Sequence, residues 1–358
     1  MEKITLLTKE GFSSEIVLDN KIDGILSILA QENEIVVLMD SKLKDAWGDY
    51  FPYYTIFIES SESLKTLSTV EMIVGKLLAH NISRSSVIVN VGGGIVSDIG
   101  SFVAAIYKRG IKTINIPTTL LAQVDASVGG KNGVNFSNYK NILGLIRQPS
   151  LTYISIDILK TLSYRDFMCG VTEMLKIFLL FDGELYSQAI NFFRNNIIKD
   201  DISGLFEGDN RDKLLFLISQ SVKLKRDIVQ EDVNDNGKRR LLNFGHTFGH
   251  SIEKYASENN LDILHGEAVS IGIVIALRIA VKIGLMSDDK LKSIVSDFKT
   301  INLPTDIDIH LDLLAQAINN DKKIEDSSIN FVLLTDIGES LISNISITQL
   351  IELANDLY

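Results

Sequence analysis

The 358-residue chain is 46% hydrophobic and 23% charged, with 35 Lys+Arg against 46 Asp+Glu and a formal charge of −11. That balance excludes a disordered, collagenous or disulfide-framed chain and argues against nucleic acid or an anionic membrane as partner. The single cysteine, Cys169, cannot close an internal disulfide, and the opening Met1-Glu2-Lys3 lacks a basic, apolar leader, so a reducing cytoplasm is the expected compartment.

In chain order, apolar β-rich runs at 35–40, 54–59, 87–91, 113–117 and 152–157 alternate with helical spacing at 64–79 and 96–107. Such alternation implies an α/β unit with a parallel, doubly wound sheet covered on both faces. From Tyr164 to Lys299 nearly everything has helical periodicity and few turn residues, which predicts a second, mainly α-helical domain. The expected division is 1–162 and 163–358. The most apolar stretch, 269–285, carries Arg278 and Lys282, which would be costly at bilayer depth, so it reads as a buried helix. Towards the end, 329–334 and Leu341-Ile342 flank Asp336-Ile337-Gly338-Glu339 and predict a small hairpin. No repeat or flexible linker intervenes, so the domains are expected to abut and form a cleft.

The first motif with chemical content is Val91-Gly92-Gly93-Gly94-Ile95-Val96-Ser97-Asp98, after an apolar strand and before a helical pattern. Glycines there let backbone amides approach a diphosphate at a helix N-terminus, where orphan donors and the helix dipole favour anions. Ser97 fills the place of the third glycine in the dinucleotide fingerprint, so a tight structural turn competes evenly with a cofactor loop. Asp40 closes an earlier strand and suits a ribose hydroxyl, the device that favours NAD over NADP. It suits the N-cap of Ser41-Lys42-Leu43 equally well.

Histidine usage is concentrated. Of five, His80, His246, His250, His265 and His310, three fall within twenty residues. His246-Thr247-Phe248-Gly249-His250 sets two imidazoles four apart on one helix face, and His265-Gly266-Glu267 follows within reach of a helical hairpin. Upstream, Glu173-Met174-Leu175-Lys176 places a carboxylate and an amine inside an apolar helix, where neither is buried cheaply without a partner. Two imidazoles and a carboxylate suit a catalytic zinc with an open position. Any one of these histidines alone would more simply cap a helix or satisfy a core hydrogen bond; the cluster points to metal. Spacing leaves open whether His246, His250 or both bind the ion. Lys108-Arg109, Lys131, Lys140, Lys176, Lys225, Lys238-Arg239-Arg240 and Lys322-Lys323 lie beside the same motifs and suggest an electropositive cleft for a small polyanion.

These stretches together resemble the 3-dehydroquinate synthases, within the wider group of NAD-dependent sugar phosphate cyclases. The resemblance rests on Gly92-Gly93-Gly94-Ile95-Val96-Ser97-Asp98, Tyr107-Lys108-Arg109-Gly110, the run from Ile116 to Lys131, Gly170-Val171-Thr172-Glu173-Met174-Leu175-Lys176, Asn243-Phe244-Gly245-His246-Thr247-Phe248-Gly249-His250, His265-Gly266-Glu267 and Asp321-Lys322-Lys323. These occur in family order over nearly the whole chain. The resemblance implies a Rossmann-like parallel sheet followed by a helical domain, the dehydroquinate synthase-like fold, and conversion of 3-deoxy-D-arabino-heptulosonate 7-phosphate to 3-dehydroquinate and phosphate. NAD would remove and return a hydride, phosphate would leave by elimination, and an enolate would close the carbocycle.

Carried over by motif, Glu173, His246 and His265 would hold a divalent metal, zinc or cobalt, and His250 would relay protons on the phosphate side. Asp40, Glu62, Lys65, Gly92, Gly93, Gly94, Asp98, Thr118, Thr119, Lys140 and Thr161 match NAD-contacting positions. Asp125, Lys131, Asn141, Lys176, Asn243 and one of Lys322 and Lys323 match substrate positions, as do Arg109 towards phosphate and Lys225 and Arg239 towards carboxylate. A cytoplasmic homodimer is implied. The chain departs from the family pattern at Ser97, Asn132, Tyr139 and Asp232-Val233-Asn234-Asp235, which bear on loop shape and NAD affinity more than on reaction type. The competing expectations are a metal-dependent polyol dehydrogenase of similar architecture, a cyclase for another sugar phosphate, and a non-catalytic NAD sensor. Glu173 with Lys176, plus Lys131 and Asn141, weigh against the dehydrogenase. Lys225 and Arg239 favour a carboxylated sugar, because desolvated cations without an anion are unfavourable.

Overall fold

Valine and isoleucine dominate the strands of the first half because branched side chains pack well on a pleated surface covered on both faces. The computed structural model describes residues 1–9, 11–137, 139–308 and 328–355. Its main sheet has seven strands: β1 (Glu2–Leu7), β2 (Ser13–Asp19), β3 (Ile35–Asp40), β4 (Tyr54–Ile58), β5 (Val87–Gly92), β6 (Lys112–Pro117) and, after a separate hairpin of β7 (Lys131–Phe136) and β8 (Tyr139–Ile146), β9 (Leu151–Ser155). The order is β1-β2-β9-β6-β5-β3-β4, parallel throughout except for the antiparallel β1–β2 pair.

β3 and β5 are buried at every position. Alternate residues feed two cores, as the two-residue period of a strand requires. Val36, Leu38 and Ile88 pack in a cluster with Ile73, Leu77, Ile99 and Val103 of the helices Leu67–Ala79 and Gly94–Ile106. Val37, Met39, Val87 and Val89 pack in a second cluster with Ile25, Leu29 and Ile158.

The chain divides into two compact units, Met1–Ser163 with Leu205–Asn234, and Tyr164–Gly204 with Asp235–Tyr358. Assignment of 205–234 to the second domain is thereby corrected. The helix Gly208–Glu231 packs on β1, β2 and the Ala122–Ala126 turn, with Ser219 Oγ 2.7 Å from Glu2 Oε2 and Gln230 Oε1 accepting from Leu7 N at 3.2 Å. Periodicity marks such a segment as helix without naming its partner. Strands β1 and β2 and the β7–β8 hairpin are also additions to the elements read from sequence.

The second unit is built on the helix Tyr164–Phe181, buried continuously from Phe167 to Leu180, with the helix His265–Lys282 packed on it and the helix His246–Glu258 packed on His265–Lys282. The apolar stretch 269–285 is mostly this last helix, and no helix among the described residues is long and apolar enough to cross a membrane. The expected terminal hairpin is β10 (Ser328–Asp336) with β11 (Glu339–Ser346), turning at Gly338 with φ 89°.

Candidate active site

Close helix packing brings the ligand-type side chains of the second unit together. A Cβ on Gly266 would lie 2.3 Å from Cys169 Cα. Only glycine therefore lets the helix beginning at His265 approach the Tyr164–Phe181 helix one turn from Glu173. Gly245 opens the His246 helix at φ 76°, a conformation glycine adopts without steric cost. Arg165, on the helix of Glu173, fixes the start of the other: its Nε and a terminal nitrogen reach Glu267 at 2.5 and 2.7 Å, and Glu267 Oε2 accepts from Leu264 N at 2.9 Å.

Glu173, His246 and His265 each offer a donor atom, all within 4.8 Å of one another. Glu173 Oε1 lies 3.7 Å from His246 Nε2 and 3.6 Å from His265 Nε2. These separations are too long for direct hydrogen bonds. Two ligands at zinc-bond distance from a tetrahedral ion stand roughly 3.3–3.6 Å apart, so the spacing admits an ion. Hydrogen-bond logic points the same way. His246 Nδ1 is 3.1 Å from the Phe244 carbonyl, which can only accept, so Nδ1 carries the proton and Nε2 presents a lone pair to a carboxylate oxygen. Lone pairs facing across such a gap are repulsive unless a cation lies among them, and the donor set fits a divalent metal.

The electrostatics are strongly polarised. Burial works against ionising Glu173, but Lys176, with Nζ 2.6 Å from Oε2, and the two imidazoles hold its carboxyl well below the usual range. Burial, reinforced by the Lys176 charge, holds His246 well below its ordinary value and thus neutral. Burial would also lower His265, but the flanking carboxylates Glu173 and Glu253 lift it to about 10. His250 is exposed, its ring edge-on to that of His246 with centroids 5.3 Å apart. Burial pushes the Cys169 thiol up to about 12, which makes it a poor metal ligand. Arg239 is buried and Asn243 exposed. Lys322 and Lys323 lie outside the described residues.

In the first unit the chain runs from β3 out to β4 and returns to β5 on the other side of β3, so the strand order reverses between β3 and β5. Ligands of open α/β sheets bind at the carboxyl ends of strands at such a point. Asp40 and Gly92 are those ends here. Gly93 is the extended N-cap of the helix Gly94–Ile106, with no side chain capping it, and Thr118 N donates to Gly92 O at 3.0 Å. Asp40 does serve as the cap of Ser41–Leu43, accepting from Lys42 N at 3.1 Å and from Ser60 Oγ. Lys65, buried, joins Asp98 Oδ2 and Asn141 Oδ1, both at 2.5 Å. Burial raises the Asp98 carboxyl although Lys65 opposes it. Glu62 accepts from Asn135 at 2.8 Å, and Asn135 Oδ1 accepts from Asn141 N, which pins the β7–β8 hairpin to the Glu62–Lys65 turn. Thr119 is partly buried; Lys131, Lys140 and Thr161 are exposed, as is Arg109, held at φ 66°.

Lys225 corrects one premise. Its Nζ reaches the Asp125 carboxylate and carbonyl, both at 2.5 Å, so its burial is compensated internally and does not of itself demand a ligand anion. Asp125 lies in a π-helical turn, Ala122–Ala126, a distortion frequent at functional sites. Asn132, where the family pattern departs, has a local role: its Nδ2 donates to the Gly130 and Arg147 carbonyls at 2.9 and 3.2 Å. Glu253, Arg165 and the Phe244 carbonyl were missed by sequence reasoning. For Glu253 the signal was present, since it follows His246 by seven residues on the same helix face.

The family models for the 3-dehydroquinate synthase N-terminal and C-terminal regions match residues 55–169 and 170–324. The chain belongs to the 3-dehydroquinate synthase family. The 3-dehydroquinate synthase of Campylobacter concisus is 39% identical over 294 residues, covering 81% of this chain and 80% of that protein. That of Streptococcus pyogenes serotype M49 is 41% identical over 277 residues, 76% and 73% of the two chains. Among solved structures, 2-epi-5-epi-valiolone synthase from Streptomyces hygroscopicus with NAD+ and Zn2+ bound superimposes with a TM-score of 0.83 at 26% identity, covering 96% of each chain. A probable glycerol dehydrogenase from Sinorhizobium meliloti, at 14% identity and TM-score 0.65 over 96% and 95%, shares the fold alone. The chain is an enzyme of the carbon–oxygen lyase class that makes 3-dehydroquinate.

Proposed function

We propose that this chain carries out that reaction with NAD at the carboxyl ends of β3 and β5 and a divalent ion, zinc in the first instance, held by Glu173, His246 and His265. The observation that carries the reading is the convergence of two imidazole nitrogens on one buried carboxylate oxygen at 3.6–3.7 Å. The NAD- and metal-bound state of the valiolone synthase supports it. When bound, NAD supplies a hydride acceptor and donor and the ion a Lewis acid.

The chain's own residues bind, orient and move protons. The amides after Gly93 face the diphosphate, and Asp40 accepts from the ribose while keeping its cap. Lys65 holds Asp98 and Asn141 in place for cofactor and sugar; Glu62, Thr118, Thr119, Lys140 and Thr161 complete the cofactor set. Arg109 and Lys131 neutralise charge on the leaving phosphate, and Arg239 orients the carboxylate. Lys176 keeps Glu173 ionised and Asn243 hydrogen-bonds the sugar. His250 carries a proton at an imidazole nitrogen on the phosphate side. Each step then needs positioning and charge stabilisation rather than a new catalytic group. The test is phosphate release from the heptulosonate phosphate by the purified protein, with and without a chelator. Release that a chelator stops and added zinc restores is expected; chelator-resistant turnover contradicts the metal assignment.

A further inference from the structure

His246 and His265 both present Nε2 to Glu173, yet they are oriented by different means. The partner of His246 Nδ1 is a main-chain carbonyl, at 3.1 Å, which no side-chain replacement removes. His265 is the first residue of its helix and its Nδ1 lies 3.3 Å from Glu253 Oε2. Glu253 projects from the neighbouring His246–Glu258 helix with its side chain 14% exposed. We propose that Glu253 is a positioning residue of the metal centre: its carboxylate accepts the Nδ1 proton of His265 and commits the ring to the tautomer whose Nε2 lone pair faces Glu173. The proposal rests on the reading of Glu173, His246 and His265 as metal ligands.

The physical case is one of tautomers and charge. A neutral imidazole with no acceptor at Nδ1 divides between two tautomers, and only the form bare at Nε2 can bind an ion at this position. An ionised carboxylate accepts and never donates, so it removes that ambiguity and places negative charge behind the ring, raising its donor strength. Glu253 acts through His265 and carries no step of the reaction itself. Helix packing suits the role, because the His246–Glu258 and His265–Lys282 helices are in direct contact, and a residue seven beyond His246 on the first reaches the start of the second.

The test is zinc affinity of the whole chain, measured by competition with a chelating dye, together with proton–nitrogen NMR of the histidine rings in the zinc-loaded state. Glu253→Ala is expected to weaken zinc by about 10–100-fold, the usual cost of losing such a partner. Glu253→Gln, whose amide oxygen still accepts from Nδ1, should recover most of that affinity, with the His265 Nδ1 proton resonance shifted upfield of its wild-type position because the acceptor is no longer charged. Exposed Glu258, replaced by Gln on the same helix, should leave zinc binding unchanged. Wild-type affinity in Glu253→Ala, or a His265 Nδ1 proton resonance that does not move between the zinc-loaded wild type and Glu253→Gln, overturns the role of Glu253 while leaving the ligand set intact. Failure of the wild type to bind zinc, or undiminished binding by His246→Ala, overturns the ligand reading and this proposal with it. If Glu253→Ala does not fold, the position of the Nδ1 proton resonance in the Gln variant decides.

Discussion

Among individual residues, Glu173, His246 and His265 have a definite proton inventory. Glu173 is ionised and His246 neutral, so neither has a proton to release, whereas His265 sits at about 10 because two carboxylates outweigh its burial. An ion that takes His265 Nε2 must displace that proton. Zinc affinity should therefore rise about tenfold per pH unit through neutrality, with roughly one proton released per ion bound. Calorimetry in buffers of different ionisation enthalpy reads the proton count, and a pH-independent affinity would be inconsistent with it. His250 provides the complementary case. His250→Ala should retain zinc but lose about 10²–10⁴-fold in phosphate release if the residue relays a proton; loss of zinc instead would make it a ligand. Spacing placed His246 and His250 on one helix face and left the choice open. Ring orientation, set by the Phe244 carbonyl, is what the sequence could not display.

For the elements, legibility followed burial. The strand, glycine turn and helix around Gly92–Gly94 stood out because β5 is apolar at every position but Asn90 and the glycines break the pattern sharply. The hairpin β7–β8 did not, since β8 is mostly exposed and Gly133 and Gly144 sit within the strands. At Gly133 a Cβ would lie 2.5 Å from the Leu143 carbonyl, so its glycine serves close backbone approach while weakening any strand signal. β1 was missed for a related reason: an edge strand buried only at alternate positions carries too few apolar residues to stand out. Helix packing around Glu173, His246 and His265 is the element-level prediction. Gly266→Ala places a methyl against the Cys169 backbone, which cannot rotate away. We expect a loss of about 1–3 kcal/mol in stability, read by denaturant unfolding, together with weakened zinc binding; unchanged stability and affinity would show that the helices tolerate separation.

Across the whole molecule, a chain of net charge −11 buries Lys65, Lys176 and Lys225, and each has a carboxylate partner: Asp98, Glu173 and Asp125. Of the two cations taken to favour a carboxylated sugar, Lys225 and Arg239, Lys225 is prepaired, as Lys65 and Lys176 are; pairing holds these ammonium groups in fixed positions while limiting what burial alone says about substrate. Fold and family were readable because the motifs run in order over most of the chain, and the matched regions span residues 55–324. The fold by itself is shared with dehydrogenases, so the reaction is carried by particular side chains and not by architecture. The most direct measurement is zinc-edge X-ray absorption on the zinc-loaded protein. Nitrogen and oxygen donors only are expected, at about 2.0–2.2 Å, with two imidazoles resolved in the outer scattering; a sulfur donor from Cys169, or a single imidazole, overturns the assignment of Glu173, His246 and His265 as the ligands.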